Sequence, residues 1–234
     1  YDVKQYDPLC LWISTDNGLF KHNYPQFPIK KLRESENPDL KNKTFSVISK
    51  YKNDKILLAN ELEMICFNPS DQTSYKVANI FKNSVEELMF SLDYDPQYGI
   101  WFSTNKGLYH VNESKKTIEK ATLGNGQNIE IWTLKIVSGK VLMGTAKNGM
   151  CVYDIKQQEF KSYLPDKKEE IPYSSSVGPV LKIGDSIIVG FTRGAKFFDC
   201  KLNKYYDFEL PLDETTIQFY QFNVIEIKMD ENKC

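Results

Sequence analysis

A stretch near the start of the chain, Leu11–Asn23 with the sequence LWISTDNGLFKHN, recurs almost letter for letter at Ile100–Asn112 as IWFSTNKGLYHVN. Three weaker copies lie at Ile56–Asn68, Val141–Asp154 and Ile187–Asp199. Each copy has a short apolar segment, a polar turn that contains Gly in all but one copy, and a second apolar segment ending in Asn or Asp. This pattern is typical of a β-hairpin. A chain with five such hairpins is predicted to be built from strands throughout.

The spacing of the copies predicts how the hairpins are arranged. The residues that end the first segment of each copy are Thr15, Asn60, Thr104, Thr145 and Phe191, at intervals of 45, 44, 41 and 46 residues. A period in the mid-forties in an all-strand pattern is the repeat length of β-propeller blades. The sequence therefore predicts an all-β fold, a β-propeller of four-stranded antiparallel blades. The predicted blades span approximately residues 1–32, 45–77, 87–121, 129–164 and 177–210.

Individual turns can be predicted within this frame. Asn53-Asp54 and Ser138-Gly139 each separate two apolar segments and are predicted to turn between the first and second strands of their blades. The copy at Ile56–Asn68 has Glu63 where the others have Gly, so its hairpin must close differently.

The last apolar segment suggests that the chain is part of a larger ring. Residues 217–230, IQFYQFNVIEIKMD, resemble the first strand of a further blade, although residues 1–6 already supply such a strand. We therefore expect five blades and one strand of a ring of six to eight blades, in a piece of a longer protein. An open arc would leave two apolar blade faces uncovered, so the isolated piece is expected to self-associate or to exchange blades with a second copy.

Composition excludes several classes of function. The chain has 234 residues and a formal net charge of −1, which argues against a nucleic-acid partner or an anionic membrane surface. No apolar run approaches the roughly 18 residues of a membrane-spanning helix. The five cysteines are irregularly spaced, without metal-ligand spacing, and Cys66, Cys151 and Cys200 are predicted to be small buried hydrophobic residues.

No catalytic set can be assembled from the sequence. Its only histidines, His22 and His110, follow their turn glycines by four and three residues, so they are predicted to point to opposite faces of their blades. Nucleotide, metalloprotease and calcium-loop motifs are absent, and the Gly-rich segment Gly124–Asn128 is interpreted as a plain turn. We therefore expect no enzyme activity in this region and no cofactor or metal.

A ligand, if there is one, is expected at one rim of the propeller. Strands alternate in direction, so the turns between second and third strands lie at the same rim as the links between blades. The candidate binding residues there are Asp16, Asn17, Asn105, Lys106, Lys147, Asn148, Tyr173 and Arg193, with the segment Gly124–Asn128. Polar donors and an aromatic residue around a central depression suit a sugar or another polar ligand. Taken singly, each of these residues is better explained as a solvent-exposed turn residue.

The repeated hairpin resembles the LWIGT-x-x-GL-x-x-x-(N/D) repeat of two-component regulator propellers. The match is strong at Leu11–Asn23 and Ile100–Asn112, fair at Val141–Asp154, and weak in the other two copies, where Glu63 replaces Gly and Phe191 replaces Thr. Together the copies cover nearly the whole chain.

The resemblance implies a periplasmic sensor region of a hybrid two-component protein of Bacteroides-type bacteria. Such receptors usually have two seven-bladed propellers, an immunoglobulin-like domain, a transmembrane helix, and cytoplasmic histidine kinase, receiver and DNA-binding parts. The implied ligand is an oligosaccharide, the implied assembly is a homodimer, and the implied contact with the inner membrane is through a segment outside this chain. The family offers no binding motif that can be transferred to individual residues here.

Two other functions remain open at this stage. A non-catalytic scaffold, such as a propeller accessory protein of a bacterial secretion system, carries similar repeats. A propeller lyase or hydrolase is the weakest alternative, because such enzymes concentrate His, Asp or metal ligands around the channel.

Overall fold

The computed structural model describes residues 2–7, 10–15, 18–23, 30–31, 37–41, 43–81, 86–164, 177–183, 186–191, 194–199 and 204–207. These residues form twenty strands in five four-stranded antiparallel sheets, with one turn of 3-10 helix at Pro38–Leu40 and no α-helix. In every sheet the strands neighbour one another in chain order. The predicted all-β class with four-stranded antiparallel blades is therefore confirmed.

The chain divides into two compact units, of which the first comprises residues 1–104 and 108–121. Sheet 1 contains β1 (Asp2–Asp7), β2 (Cys10–Thr15), β3 (Gly18–Asn23) and β4 (Lys30–Lys31). Sheet 2 contains β5 (Val47–Lys50), β6 (Ile56–Ala59), β7 (Glu63–Phe67) and β8 (Ser74–Asn79). Sheet 3 contains β9 (Met89–Asp95), β10 (Gly99–Thr104), β11 (Gly107–Asn112) and β12 (Thr117–Lys120). The first strands of neighbouring sheets touch, β1 with β5 and β5 with β9.

The second unit comprises residues 105–107 and 122–234. Sheet 4 contains β13 (Ile131–Val137), β14 (Lys140–Thr145), β15 (Met150–Asp154) and β16 (Glu159–Tyr163). Sheet 5 contains β17 (Val177–Ile183), β18 (Ser186–Phe191), β19 (Gly194–Asp199) and β20 (Lys204–Asp207). Here too the first strands, β13 and β17, touch.

The second strand of sheet 2, β6, is buried on both faces, which explains why it is apolar throughout. In β6 successive side chains point to opposite sides. Leu57 packs in a cluster with Leu92 of sheet 3, and Leu58 packs with Ile48 in a separate cluster on the other face. Each such fully buried side chain contributes about 1.5–3 kcal/mol to stability. Sheets with two apolar faces are stable only when stacked, as the repeat predicts.

Sheet 4 is covered by sheet 5 in the same way. Leu142 and Val152 of sheet 4 share one cluster with Val177 and Ile187 of sheet 5. The fourth strands β12 and β16, by contrast, are largely exposed. Burial therefore falls from the second strand to the fourth.

Two predicted turns between first and second strands are confirmed. Asn53 and Asp54 both have φ near +54°, and Ser138 and Gly139 have φ of 51° and 79°. Positive φ at both central residues is what a type I′ hairpin turn requires, and its twist matches that of the flanking strands. The predicted further strand at 217–230 lies outside the described residues, and the size of the complete ring stays a prediction.

Candidate ligand-binding rim

Four of the eight candidate residues fall in the described part of the chain, and all four lie in turns between second and third strands. Asn105 and Lys106 join β10 to β11 and are half-buried, whereas Lys147 and Asn148 lie between β14 and β15 and are exposed. Asp16, Asn17, Tyr173 and Arg193 lie outside the described residues. The two described pairs lie in separate sheets, and their ligand-binding role stays a prediction.

The turn of sheet 4 is held rigidly by Thr145. Its hydroxyl donates to the Gly149 carbonyl at 2.7 Å and accepts from the Asn148 amide at 2.9 Å. The Asn148 carbonyl in turn accepts the Ser162 hydroxyl at 2.5 Å. Three backbone groups of this turn are therefore hydrogen-bonded to side chains, while the side chains of Lys147 and Asn148 face solvent.

In sheet 3 the equivalent threonine binds a carboxylate that sequence reasoning missed. Glu87, only 7% exposed, precedes β9, and its Oε1 accepts the hydroxyl of Thr104 at 2.9 Å and that of Tyr109 at 2.6 Å. Burial, followed by the hydrogen bond to Glu87, raises the pKa of Tyr109 above its usual range, so the phenol remains a proton donor. Glu87 therefore links the end of β10 to β11 by two buried hydrogen bonds at the rim of sheet 3.

In sheet 2 the missing turn glycine is replaced by an asparagine-capped turn, which is the different closure that the sequence predicted. Asn60 Oδ1 accepts the amides of Leu62 at 2.9 Å and Glu63 at 3.0 Å, and its Nδ2 donates to the Thr44 carbonyl at 2.8 Å. The side chain thus takes over hydrogen bonds that a backbone turn would otherwise make.

Glu63, which follows this turn, is paired with two lysines. Its carboxylate lies 2.6 Å from Lys43 Nζ and 2.8 Å from Lys76 Nζ, and the Glu63 side chain is 12% exposed. Burial alone would raise the pKa of Glu63, but the hydrogen bonds from the two ammonium groups outweigh it and lower the pKa below its usual value.

Trp132 is the exposed aromatic residue at the rim of sheet 4, and it was not among the predicted site residues. It lies in β13, is 41% exposed, and donates its indole N–H to Glu130 Oε1 at 2.9 Å. The Glu130 carbonyl accepts the Ala146 amide at 3.0 Å, which ties this segment to the turn that carries Lys147. A signal was present in the sequence, because this tryptophan lies in a first strand and not in a second strand.

Trp101, unlike Trp132, is buried. It lies in β10, is 5% exposed, donates its indole N–H to the Tyr98 carbonyl at 2.9 Å, and its ring lies 4.8 Å from that of His110. Trp101 is therefore a packing residue of sheet 3. Burial lowers the pKa of His110, so its imidazole is held neutral.

Cys66 and Cys151 are buried free thiols, and burial raises the pKa of Cys151 to about 11, which keeps it from acting as a thiolate nucleophile. No cluster of three or more His, Cys, Asp or Glu with metal-binding geometry occurs in the part of the chain that the structure covers. That part also contains no helix long and apolar enough to cross a membrane.

No family model matches the sequence, and no curated protein matches it. Solved structures do match. Two structures of the extracellular domain of the B. thetaiotaomicron system BT4673 align over 81% of this chain and 26% of theirs, with 18% and 19% identity and a TM-score of 0.64. The extracellular domain of the B. thetaiotaomicron hybrid two-component system BT3049 aligns over 87% of this chain and 29% of its own, with 15% identity and a TM-score of 0.63.

A second kind of propeller is also similar. The WD40 domain of Neurospora crassa Pan2 aligns over 88% of this chain and 64% of its own, with 11% identity and a TM-score of 0.60. At these identities the likeness concerns the fold alone. The predicted β-propeller fold is confirmed, and the resemblance of the repeats to two-component sensor propellers is confirmed at the level of the fold. The chain spans about a quarter of the length of the two-component domains it matches.

Proposed function

We propose that this chain is part of the ligand-sensing extracytoplasmic propeller of a hybrid two-component receptor. One observation carries the proposal: the hairpin repeat and the fold lead independently to the same group of proteins. The repeat resembles two-component regulator propellers in its sequence, and the fold is similar to the extracellular domains of BT4673 and BT3049. A shared fold does not by itself establish a shared function, so the proposal depends on this agreement.

The proposed location follows from the same similarity. The chain would lie in the periplasm and be anchored in the inner membrane by a segment outside it. Histidine kinase activity would belong to a cytoplasmic part, and this propeller region would bind without catalysing a reaction.

The proposed ligand is an oligosaccharide. The exposed residues at the rim of sheet 4 comprise a cationic donor, an amide, a carboxylate and an indole, supplied by Lys147, Asn148, Glu130 and Trp132. Polar groups of both hydrogen-bonding types beside one apolar ring suit a ligand that has many hydroxyl groups and one apolar face.

Signalling would be a coupling of free energies between the ligand and the receptor dimer. A ligand that binds one arrangement of the dimer more tightly shifts the population toward that arrangement, by no more than its difference in affinity. The kinase would respond to the shift.

The test uses the complete extracytoplasmic region of the protein that contains this chain. It is titrated calorimetrically with neutral and acidic oligosaccharides, and autophosphorylation of the full receptor in membrane vesicles is measured with and without each sugar. We expect saturable binding of at least one oligosaccharide and a change in autophosphorylation with the same sugar. Absence of binding across the panel, or a gene without a membrane helix and kinase motifs after this chain, would instead support the scaffold.

A further inference from the structure

The first strands of three sheets carry the same irregularity at the rim. In sheet 3, Thr104 pairs with Met89 but Ser103 pairs with Ser91, so one residue of β9 is left unpaired. In sheet 5, the register of β17 with β18 also shifts by one residue between Val177 and Val180. Such β-bulges redirect the side chain of the extra residue, and they are common beside binding sites.

In sheet 4 the extra residue is Trp132. Ile131 pairs with Thr145 and Thr133 pairs with Gly144, so Trp132 has no partner in β14. The neighbouring apolar residues Ile131 and Leu134 are 0% and 4% exposed, whereas Trp132 is 41% exposed. The bulge therefore takes the largest side chain of the strand out of the buried sheet and presents it to solvent.

A hydrogen bond restricts the orientation of the exposed indole. Its N–H donates to Glu130 Oε1 at 2.9 Å, and the Glu130 backbone is itself bound to Ala146. A ring restricted in this way loses less conformational entropy when a ligand packs on it, which favours binding. Only one of the carboxylate oxygens of Glu130 is used by the indole, and a carboxylate can accept several hydrogen bonds.

This pair matches the chemistry of a pyranose ring. The C–H groups of one sugar face can pack on the negative face of the indole, while hydroxyl groups at the ring edge can donate to Glu130. A carboxylate beside the stacking ring disfavours a uronic acid or a sulfated sugar at this position. Lys147 and Asn148, in the turn bound to Glu130 through Ala146, would supply donors to adjoining sugar residues.

We infer that Trp132 and Glu130 form a stacking subsite for one neutral pyranose residue of an oligosaccharide. The inference rests on the proposed oligosaccharide-sensing function and adds the residues and the charge class of the sugar. Both residues precede the repeated hairpin Val141–Asp154.

The test is a titration of the complete extracytoplasmic region with maltohexaose, cellohexaose, xylohexaose, mannohexaose and tetragalacturonate. We expect the tightest binding with one of the neutral sugars. Trp132→Ala is expected to weaken that binding about tenfold or more, and Trp132→Phe, which keeps an aromatic face, to weaken it less. Tyr206→Ala is the matched control, because Tyr206 is a comparably exposed aromatic residue on β20 of the same unit, and it should leave affinity unchanged.

Two further measurements test orientation and charge. Bound sugar should shield Trp132 from quenching by iodide, and this protection should disappear in Trp132→Phe while the signal of buried Trp101 remains. Glu130→Gln should weaken binding of the neutral sugar. It should also reduce the ratio of the affinity for the neutral sugar to the affinity for tetragalacturonate.

The outcomes separate the inference from the proposed function. If a neutral sugar binds equally well to wild type and Trp132→Ala, the subsite is wrong and oligosaccharide sensing stands. If only tetragalacturonate binds, the assigned charge class is wrong. If no sugar binds to the wild-type region, the proposed ligand and the subsite are both rejected, and a loss of self-association in Trp132→Ala would then identify this ring as a protein contact.

Discussion

At the scale of single residues, Glu63 contributes to the loss of folding stability at acidic pH. Its folded-state pKa is lowered, so its ion pairs with Lys43 and Lys76 stabilise the fold above the ordinary glutamate pKa of about 4.3. This contribution is lost as the pH falls through the lowered folded-state value, where the carboxylate takes up its proton.

We expect Glu63→Gln to lower the free energy of unfolding by about 1 kcal/mol at pH 7 and by less than this at pH 3. Urea denaturation at both pH values measures the difference. The matched control is Glu159→Gln, because Glu159 pairs with Lys161 at 3.5 Å and both side chains are more than half exposed. An equal loss in both variants, or a loss of the same size at pH 3, would contradict this role of Glu63.

At the scale of the element, Asn60 shows how one hairpin closes without glycine. Asn60→Ala removes the acceptor for two turn amides and the donor to Thr44. We expect it to destabilise the protein by about 1–2 kcal/mol. Asn60→Asp keeps the acceptor and loses only the donor, so thermal unfolding should place it between wild type and Asn60→Ala. Equal stability of Asn60→Ala and wild type would show that the turn does not depend on this side chain.

Gly144 lies where the backbone of sheet 4 closely approaches that of sheet 5. A Cβ on Gly144 would lie 2.4 Å from the Gly178 carbonyl oxygen and 2.7 Å from that of Val177, both in β17. We expect Gly144→Ala to destabilise by about 2–4 kcal/mol, because backbone atoms cannot move aside as a flexible side chain can.

Gly126→Ala serves as the control for Gly144→Ala. A Cβ on Gly126 would meet no atom within 4 Å, although its φ of +82° adds strain. The expected cost is about 1 kcal/mol, from the backbone alone. Chemical denaturation compares the two variants, and a smaller cost at Gly144 would contradict the close packing of the two sheets.

Hairpin ends and turns could be predicted from the sequence because they depend on local chemistry. Thr104 and Thr145 end their strands where the repeat places them, and Ser138-Gly139 adopts the predicted positive φ. The bulge at Trp132 could not be predicted. One extra residue in a strand does not change the mostly apolar composition from which the strand is predicted, so the sequence gives no sign of it. Glu87 was missed for a different reason: its partners Thr104 and Tyr109 are 17 and 22 residues away and are brought to it only by the folded sheet.

At the scale of the whole molecule, the interpretation of the chain as part of a larger ring predicts self-association. Sheets with two apolar faces need a neighbour on each side, and an incomplete set leaves faces that a second copy can cover. We expect light scattering of the isolated 234-residue chain at micromolar concentration to give at least twice the monomer mass. A longer segment that completes the ring should associate less, and a strictly monomeric isolated chain would contradict this interpretation.

The fold was easier to predict than the ligand because the two depend on different residues. The buried apolar strands repeat and identify the propeller, whereas the rim side chains differ from sheet to sheet, from half-buried Asn60 to exposed Lys147 and Trp132. Half of the candidate rim residues, including Tyr173 and Arg193, lie outside the described residues, and their role stays a prediction.

The order of strands within each sheet has a consequence for synthesis. Because every ladder joins strands consecutive in the chain, each sheet can complete its hydrogen bonds soon after it emerges from the ribosome, without waiting for a distant segment. Within each of the two units, a new sheet then finds the preceding one ready to cover one of its faces. Folding within a unit can thus proceed during synthesis, from the amino end onward.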